Sequence, residues 1–250
     1  MATNPIVISA SCVATFLNAS PGSRLRKLIP FKYKNVGEGA GRSGYYRPMI
    51  SAVPEFHRTE NEFAVFQRVI SEMTLIEQDR SLLPIQRSKG RSNIDAIRAY
   101  YRIYGERRFE FLPRRRLWFT IDQVMVTAQP DMWVIDETGK QVIFKIGAAK
   151  SKPRDYIDFM LHLMRKAAAA QRERIGARIS SKNIVWLNVA TGEEVISHLP
   201  LTHFNRTIEN ACREISQLWP LVPDPTVPRG RETEGFPSGR EHNEKRPQTN

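Results

Sequence analysis

Cysteine is scarce in this sequence, and so are the patterns that hold metal ions through cysteine or histidine. The two cysteines, Cys12 and Cys212, lie far apart and in no metal-ligand spacing, so we expect neither a disulfide framework nor a zinc site. The five histidines are scattered and form no HExxH pair. This use of cysteine is typical of a reducing compartment.

Long apolar runs are missing as well. No stretch approaches the roughly 20 residues that a membrane-spanning helix needs, and no basic residue precedes the apolar positions of residues 1–17, as a secretory signal requires. We therefore expect a cytoplasmic protein that does not contact a membrane. The glycine-rich stretch 36–46 lacks the GxxxxGK(S/T) order of a phosphate-binding loop, which favours a flexible connector.

Positive charge is what the sequence has in excess. Its 38 lysines and arginines outnumber 26 acids and give a net charge of +12 over 250 residues, which favours DNA or RNA as the partner. Arginine forks suit phosphate oxygens, although ordinary solvation of a basic surface is the alternative. The residues that we expect to bind nucleic acid are Arg114, Arg115, Arg116, Lys150, Arg165 and Arg172.

Hydrophobic periodicity predicts an α/β protein with a central mixed β-sheet flanked by helices. We divide the chain into an N-terminal segment (1–55), an α/β core (56–219) and a tail (220–250). The tail is rich in proline, glycine and charge, and we expect it to be disordered. Residues 7–20 form a short apolar element that is predicted to hold a brief helix through Leu17. Further helices are predicted over 56–80, 92–105, 154–176 and 202–219, and strands over 109–113, 117–122, 123–129, 132–136, 141–148 and both halves of 182–198.

Several residues predict where these helices begin and end. Ser9 or Ser11 can cap the first helix, and Thr59 with Glu62 resembles a capping box at the start of the second. Ser92 and Thr202 are expected to cap later helices. Gly105 stands where a left-handed turn would end a helix, and Gly176 is a plausible terminator of the long helix.

The stretch from Gln129 to Lys150 holds the residues that point to chemistry. Two strands joined by the turn at 137–140 would place Asp131 and Lys145, fourteen positions apart, at the same end of a hairpin. Carboxylates can hold Mg²⁺, and a lysine nearby can orient a metal-bound water for attack on a phosphodiester. Alternatively, Asp131 after Pro130 simply opens a turn.

These residues carry a resemblance to the PD-(D/E)xK nuclease superfamily, in its RecB-like branch. Pro130-Asp131 match the PD, and Ile143-Phe144-Lys145 stand where (D/E)xK belongs. The amphipathic helix at 154–176 and the strand at 184–187 follow in the family's order. The opening SASCVATFLNASP is similar to the branch's serine-rich first segment. The similarity covers roughly residues 7–200 in element order.

The resemblance implies a restriction-endonuclease-like core and a Mg²⁺-dependent nuclease acting on nucleic acid. Asp131 would hold the metal and Lys145 would orient the water. Gln171 matches the glutamine that the RecB-like branch carries after the lysine, although Ile175 replaces the usual tyrosine.

The second acid of the motif is replaced by Ile143, and an aliphatic side chain cannot bind Mg²⁺. One explanation is that Glu60, Glu62 or Glu72 supplies the carboxylate. Glu62 is preferred, because the helix before the sheet donates an acid in this family, so Asp131 and Glu62 are the expected metal ligands. The other explanation is that the fold only binds nucleic acid. A structural or adaptor protein, with incidental charge, is the third alternative.

Overall fold

A computed structural model describes residues 5–33, 46–113, 115–147, 152–176, 179–189, 191–200 and 202–224. Most of the predicted connector at 36–46, the predicted tail from residue 225 onward, Arg114 and Lys150 lie outside the described residues.

In the described chain, helices and strands follow one another in runs: a first strand is followed by five α-helices, five strands, two α-helices, two strands and a final α-helix. The helices are α1 (Ala10–Leu17), α2 (Arg24–Lys32), α3 (Arg47–Arg58), α4 (Phe63–Gln78), α5 (Pro84–Tyr104), α6 (Arg154–Ala170), α7 (Arg172–Ile175) and α8 (Asn205–Leu218). The strands are β1 (Ile6–Ser9), β2 (Glu110–Phe111), β3 (Leu117–Ile121), β4 (Val124–Ala128), β5 (Met132–Ile135), β6 (Gln141–Gly147), β7 (Ile184–Asn188) and β8 (Glu193–Ile196).

The strands form two mixed sheets. The larger sheet has the order β2-β5-β6-β7-β8, in which only β6 and β7 pair in parallel. Helix α6 connects these two strands, as parallel neighbours require. The smaller sheet has the order β1-β4-β3, and β1 runs parallel to β4. The predicted class, an α/β fold with a mixed sheet flanked by helices, is confirmed.

Two hydrophobic clusters cover the two faces of the larger sheet. Successive side chains of a strand point to opposite faces, and β6 follows this rule, since Ile143 lies in one cluster and Phe144 in the other. Helices α1, α6 and α8 contribute to the first cluster, which also includes the inner face of the smaller sheet. Helices α3, α4 and α5 contribute to the second.

The predicted helix over 56–80 is wrong at its start, because the chain forms two helices there. Glu60 and Asn61 both have positive φ, 53° and 65°, which ends α3 before α4 begins. The predicted capping box is also wrong: Thr59 follows α3, and Glu62 precedes α4 without a side-chain cap. Asn61 explains the break, because its side-chain amide donates to the carbonyl oxygens of Gly105 and Arg107 at 2.9 Å each.

Helix α5 begins eight residues before the predicted start, so Ser92 is an interior residue and not a cap. Pro84 fits the first turn, where no backbone donor is needed, and the Gln86 side chain accepts the Leu83 N–H. Gly105 has a right-handed φ of −59°, which contradicts the predicted left-handed turn. Thr202 does not cap α8, because Phe204 occupies that position.

Other local predictions are confirmed. The Ser9 hydroxyl accepts the N–H of Cys12 at the start of α1. Gly176 ends α7 with φ 72°, but the single helix predicted over 154–176 is interrupted at Gln171, between α6 and α7. The turn between β5 and β6 is organised by Asp136, whose carboxylate accepts the backbone N–H groups of Thr138 and Lys140.

Candidate functional site

The pairing of β5 with β6 brings Asp131 and Lys145 together. Met132 stands opposite Phe144 in the antiparallel ladder, and the Asp131 N–H donates to the Phe144 carbonyl at 2.9 Å. Asp131 therefore extends the ladder by one residue and lies beside Lys145. This spatial arrangement is the one that the strand–turn–strand pattern predicts.

The two side chains form an ion pair at the edge of the protein. The Lys145 Nζ lies 3.0 Å from Oδ2 of Asp131 and 3.1 Å from its Oδ1. The Ile146 N–H donates to the same carboxylate at 2.8 Å. The side chains are 13 % exposed for Asp131 and 26 % for Lys145. Because the pair is partly shielded from water, its attraction is screened less than that of a surface pair.

Ile143 occupies the position where the motif expects its second acid. It stands two residues before Lys145, the spacing at which strand residues share one face of a sheet. It is fully buried in the cluster that includes residues of α6. The side chain fills a dry apolar space, and it offers no atom that binds a cation.

An aromatic group stands beside the pair on β7. Trp186 is the register neighbour of Lys145, and its indole lies against Gly147, where an added Cβ would come within 2.3–2.7 Å of ring atoms. Tyr156 of α6 packs edge-on against Trp186, and burial raises the pKa of Tyr156 to about 12. The Lys152 ammonium sits 4.5 Å from the Tyr156 ring centre. A close-packed wall therefore flanks Lys145.

Glu62 precedes α4, which packs on the opposite face of the larger sheet from Ile143. The buried residues of α4 belong to the second cluster, whereas Ile143, which shares a sheet face with Lys145, belongs to the first. The helix that would supply Glu62 therefore lies on the other side of the sheet from the face that Ile143 and Lys145 share.

Gln171 is also distant from the pair along the fold. It follows the last residue of α6, whose first turn carries Tyr156. Fifteen residues of helix place it roughly 22 Å further along the axis. Its side-chain oxygen accepts from Arg174 at 3.4 Å, and it is buried. These contacts fit a residue that joins α6 to α7.

The predicted phosphate-binding arginines have different surroundings. The Arg165 guanidinium donates to the Leu199 carbonyl at 2.6 Å and to Ser197, so it holds the segment after β8 against α6. Arg115 is exposed and donates one bond to the Arg174 carbonyl. Arg116 and Arg172 are exposed. N–H donors therefore remain available to a phosphate on Arg115, Arg116 and Arg172. The guanidinium of Arg165, in contrast, is engaged by acceptors within the protein.

Two histidines, His57 and His162, are buried in the described structure. The His57 ring bonds Asn61 through Nδ1 at 2.9 Å and the Tyr100 hydroxyl through Nε2 at 2.8 Å. Because the amide nitrogen of Asn61 donates elsewhere, its oxygen accepts from Nδ1–H, which fixes the neutral tautomer. Burial lowers the pKa of His57 to about 4. Burial, followed by the charges of Arg165 and Lys166, lowers the pKa of His162 to about 4.

Within the described ranges, no three histidine, cysteine, aspartate or glutamate side chains stand close enough together to hold a metal ion. Among the described helices, none combines the length and apolar character needed to cross a bilayer.

Comparison with known proteins yields no match to a family model and none to a curated protein. The interpretation of the site therefore rests on its own residues.

Proposed function

We propose that this protein binds nucleic acid on a PD-(D/E)xK-like frame whose Asp131–Lys145 pair stabilises the end of the β5–β6 hairpin and does not cleave the bound nucleic acid. The observation that carries the proposal is that groups of the protein already bind the Asp131 carboxylate. Asp131 accepts from Lys145 and from the Ile146 amide, while the neighbouring motif position is the fully buried Ile143. One carboxylate holds Mg²⁺ weakly, because this ion prefers several hard oxygen ligands.

The strand arrangement supports the frame. An antiparallel trio, β2-β5-β6, is followed by the helix α6 and then by β7, which pairs with β6 in parallel. The Asp131–Lys145 pair lies where the second and third of these strands meet at their ends. This is the element order that a restriction-endonuclease-like core implies.

Charge supports nucleic acid as the partner. The chain carries a net charge of +12, and Arg115, Arg116 and Arg172 are exposed with donors to spare. Contacts of this kind supply most of the affinity of non-specific binding.

A Mg²⁺-dependent DNA nuclease is the second candidate. The observation that favours it is that both the carboxylate and the ammonium remain, in contact and partly exposed, at the end of the hairpin. Such a nuclease needs a second carboxylate, which the buried Ile143 does not supply.

The experiment that separates these functions measures binding and cleavage in parallel. Binding of labelled DNA and RNA is followed by anisotropy across a series of salt concentrations, and cleavage is followed with Mg²⁺ and with Mn²⁺. We expect binding without cleavage. Three phosphate contacts on duplex DNA, one each for the exposed Arg115, Arg116 and Arg172, predict a slope of about −3 for log K against log salt. Binding that does not respond to salt, or no binding at low salt, overturns the proposal.

Variants of the pair complete that test. Asp131→Ala and Lys145→Ala should lower stability and leave cleavage at background. Lys140→Ala, an exposed lysine at the opposite end of the same hairpin, is the matched control. Metal-dependent cleavage that is lost in both pair variants and kept in Lys140→Ala would establish the nuclease.

A further inference from the structure

Among the residues that the structure describes, none covers the outer face of the smaller sheet, whose side chains are exposed or half-exposed. Residues of β1, β4 and β3 that point inward, such as Ile8, Val126 and Phe119, are buried in the core. The alternate residues are exposed or half-exposed. The register aligns them in two rows: Ser9, Thr127 and Trp118 form one, and Val7, Met125 and Thr120 form the other. We call these six residues the open face.

Trp118 is the most unusual member of the open face. Its side chain is 37 % exposed, whereas Trp133 and Trp186 are 3 % and 5 % exposed, and Trp219, the fourth tryptophan, is half-buried. Single exposed apolar residues are common on protein surfaces. A tryptophan on a flat strand, surrounded by hydroxyl groups, is a surface on which a planar ring can stack.

Positive charge adjoins this tryptophan. Arg115 and Arg116 directly precede β3 and are exposed. Asp122, the nearest acid along the chain, lies 3.5 Å from Arg213, and Glu110, the next nearest, lies on β2 in the larger sheet. The charge beside the open face therefore complements an anion.

The open face leads directly to the Asp131–Lys145 pair. Beyond Thr127 the chain leaves β4 at Ala128 and reaches the exposed Gln129, whose carbonyl oxygen lies 3.5 Å from Lys145 Nζ. Asp131 is four positions after Thr127, a path of at most roughly 13 Å. A short stretch of chain therefore joins the open face to the pair.

We propose that the open face binds single-stranded nucleic acid, with a base stacked on Trp118 and a neighbouring phosphate held by Arg116. The inference rests on the proposed function and specifies its substrate class. Bases in a duplex stack on one another, so only an unpaired base presents its ring to a protein side chain. The sheet face is flat, aromatic and flanked by arginine, which matches the chemistry of an unpaired strand.

The test compares single strands with duplex. Labelled 20-nucleotide poly-dT and poly-rU and a 20-base-pair duplex are titrated at constant salt, and binding is measured by anisotropy. Loss of one stacked base weakens binding by roughly 5- to 100-fold. We expect Trp118→Ala to lose this much affinity for a single strand and to bind duplex within about twofold of the natural protein. The comparison of poly-dT with poly-rU distinguishes DNA from RNA as the source of the strand.

Two further variants keep the outcome interpretable. Trp118→Phe retains a stacking ring and should keep most of the affinity for a single strand. A single strand that stacks on Trp118 should quench tryptophan fluorescence in the natural protein, and this quenching should disappear in Trp118→Phe. Tyr101→Leu is the matched control, because Tyr101 is 40 % exposed on α5 and lies outside the open face. Thermal unfolding of each variant shows that the fold is kept.

The possible outcomes separate the inference from the function beneath it. If the natural protein binds duplex and single strands alike and Trp118→Ala binds both unchanged, the inference is overturned and nucleic-acid binding stands. If the natural protein binds neither duplex nor single strands at low salt, the proposed function itself is wrong, and the inference falls with it. A change in self-association of Trp118→Ala by sedimentation, with no effect on nucleic acid, would assign the open face to a second copy of the chain and overturn the inference.

Discussion

Replacing Ile143 by glutamate restores a carboxylate at the motif position that lacks one. Ile143 is 0 % exposed and packs in the cluster that includes α6. Losing a fully buried isoleucine costs about 1.5–3 kcal/mol of transfer free energy, and an enclosed polar group with incomplete hydrogen bonding costs about 1–3 kcal/mol more. We expect the free energy of unfolding to fall by about 3–6 kcal/mol in the absence of metal.

Mg²⁺ should restore part of the free energy of unfolding that Ile143→Glu loses. The introduced carboxylate would lie on the same sheet face as Lys145, with Trp133 directly opposite in the ladder and Asp131 two residues before Trp133. A ligand at 10 to 100 times its Kd stabilises the folded state by about 1.4–2.7 kcal/mol. In a chain of this size, that raises Tm by roughly 3–10 °C. Thermal unfolding followed by circular dichroism, with and without millimolar Mg²⁺, measures the shift.

The matched control for this experiment is Ile143→Gln, which has nearly the same shape and no charge. We expect it to lose similar stability and to gain nothing from Mg²⁺. Equal Mg²⁺ shifts in Ile143→Glu and Ile143→Gln would refute the assignment of position 143 to a metal-facing site. If Ile143→Glu does not fold, the shorter Ile143→Asp carries the same comparison.

Two further predictions concern pH and packing. The pKa of His57 and of His162 is about 4 in the folded protein, below the ordinary 6.5, so the unfolded chain takes up protons first as the pH falls. Above pH 6.5 both histidines are mostly neutral in the folded and in the unfolded chain, and the free energy of unfolding is highest. As the pH falls from 6.5 toward 4, the unfolded chain binds these protons and the free energy of unfolding declines. At pH 5 each histidine lowers the free energy of unfolding by about 2 kcal/mol relative to neutral pH. Urea unfolding at pH 7 and pH 5 should show that the difference between the two pH values shrinks by about 2 kcal/mol in His162→Leu. Separately, Gly147→Ala would drive a methyl group into Trp186 and should lower the free energy of unfolding by about 1–3 kcal/mol, measured at neutral pH.

Each of these predictions has an internal control. His198 is exposed, so His198→Leu should leave the pH dependence unchanged, and an equal change in His198→Leu and His162→Leu contradicts the role of burial. An added Cβ at Gly22 meets nothing within 4 Å, so Gly22→Ala should be nearly neutral. If Gly147→Ala is equally neutral, the contact with Trp186 is not rigid.

The hairpin that carries Asp131 and Lys145 was predictable because its determinants are local. Alternating apolar residues specify the two strands, and a four-residue turn sets their register. The break between α3 and α4 was not predictable in this way, because the apolar spacing continues through it. The conformation of Asn61 is set by carbonyl groups at Gly105 and Arg107, and periodicity carries no information about such distant partners.

The open face shows the same limit. The alternation in β3 indicates that Trp118 points away from the core, but it does not indicate whether another element covers that side. Only the pairing of β4 with both β1 and β3 defines the surface. The hydrogen bond of Arg165 within the fold was not predictable for a similar reason, since its acceptor, the Leu199 carbonyl, is 34 positions away.

The parallel pairing of β1 with β4 has a consequence for biosynthesis. Ile6 stands opposite Val124, so 118 positions must be polymerised before the first strand meets its neighbour. At about 5–20 residues per second, this takes roughly 6–24 s. During that interval the apolar β1 and the α1 segment behind it leave the ribosome without the surface that later buries them. Nascent-chain truncations ending before residue 124 should therefore be bound by chaperones, and longer ones should be released.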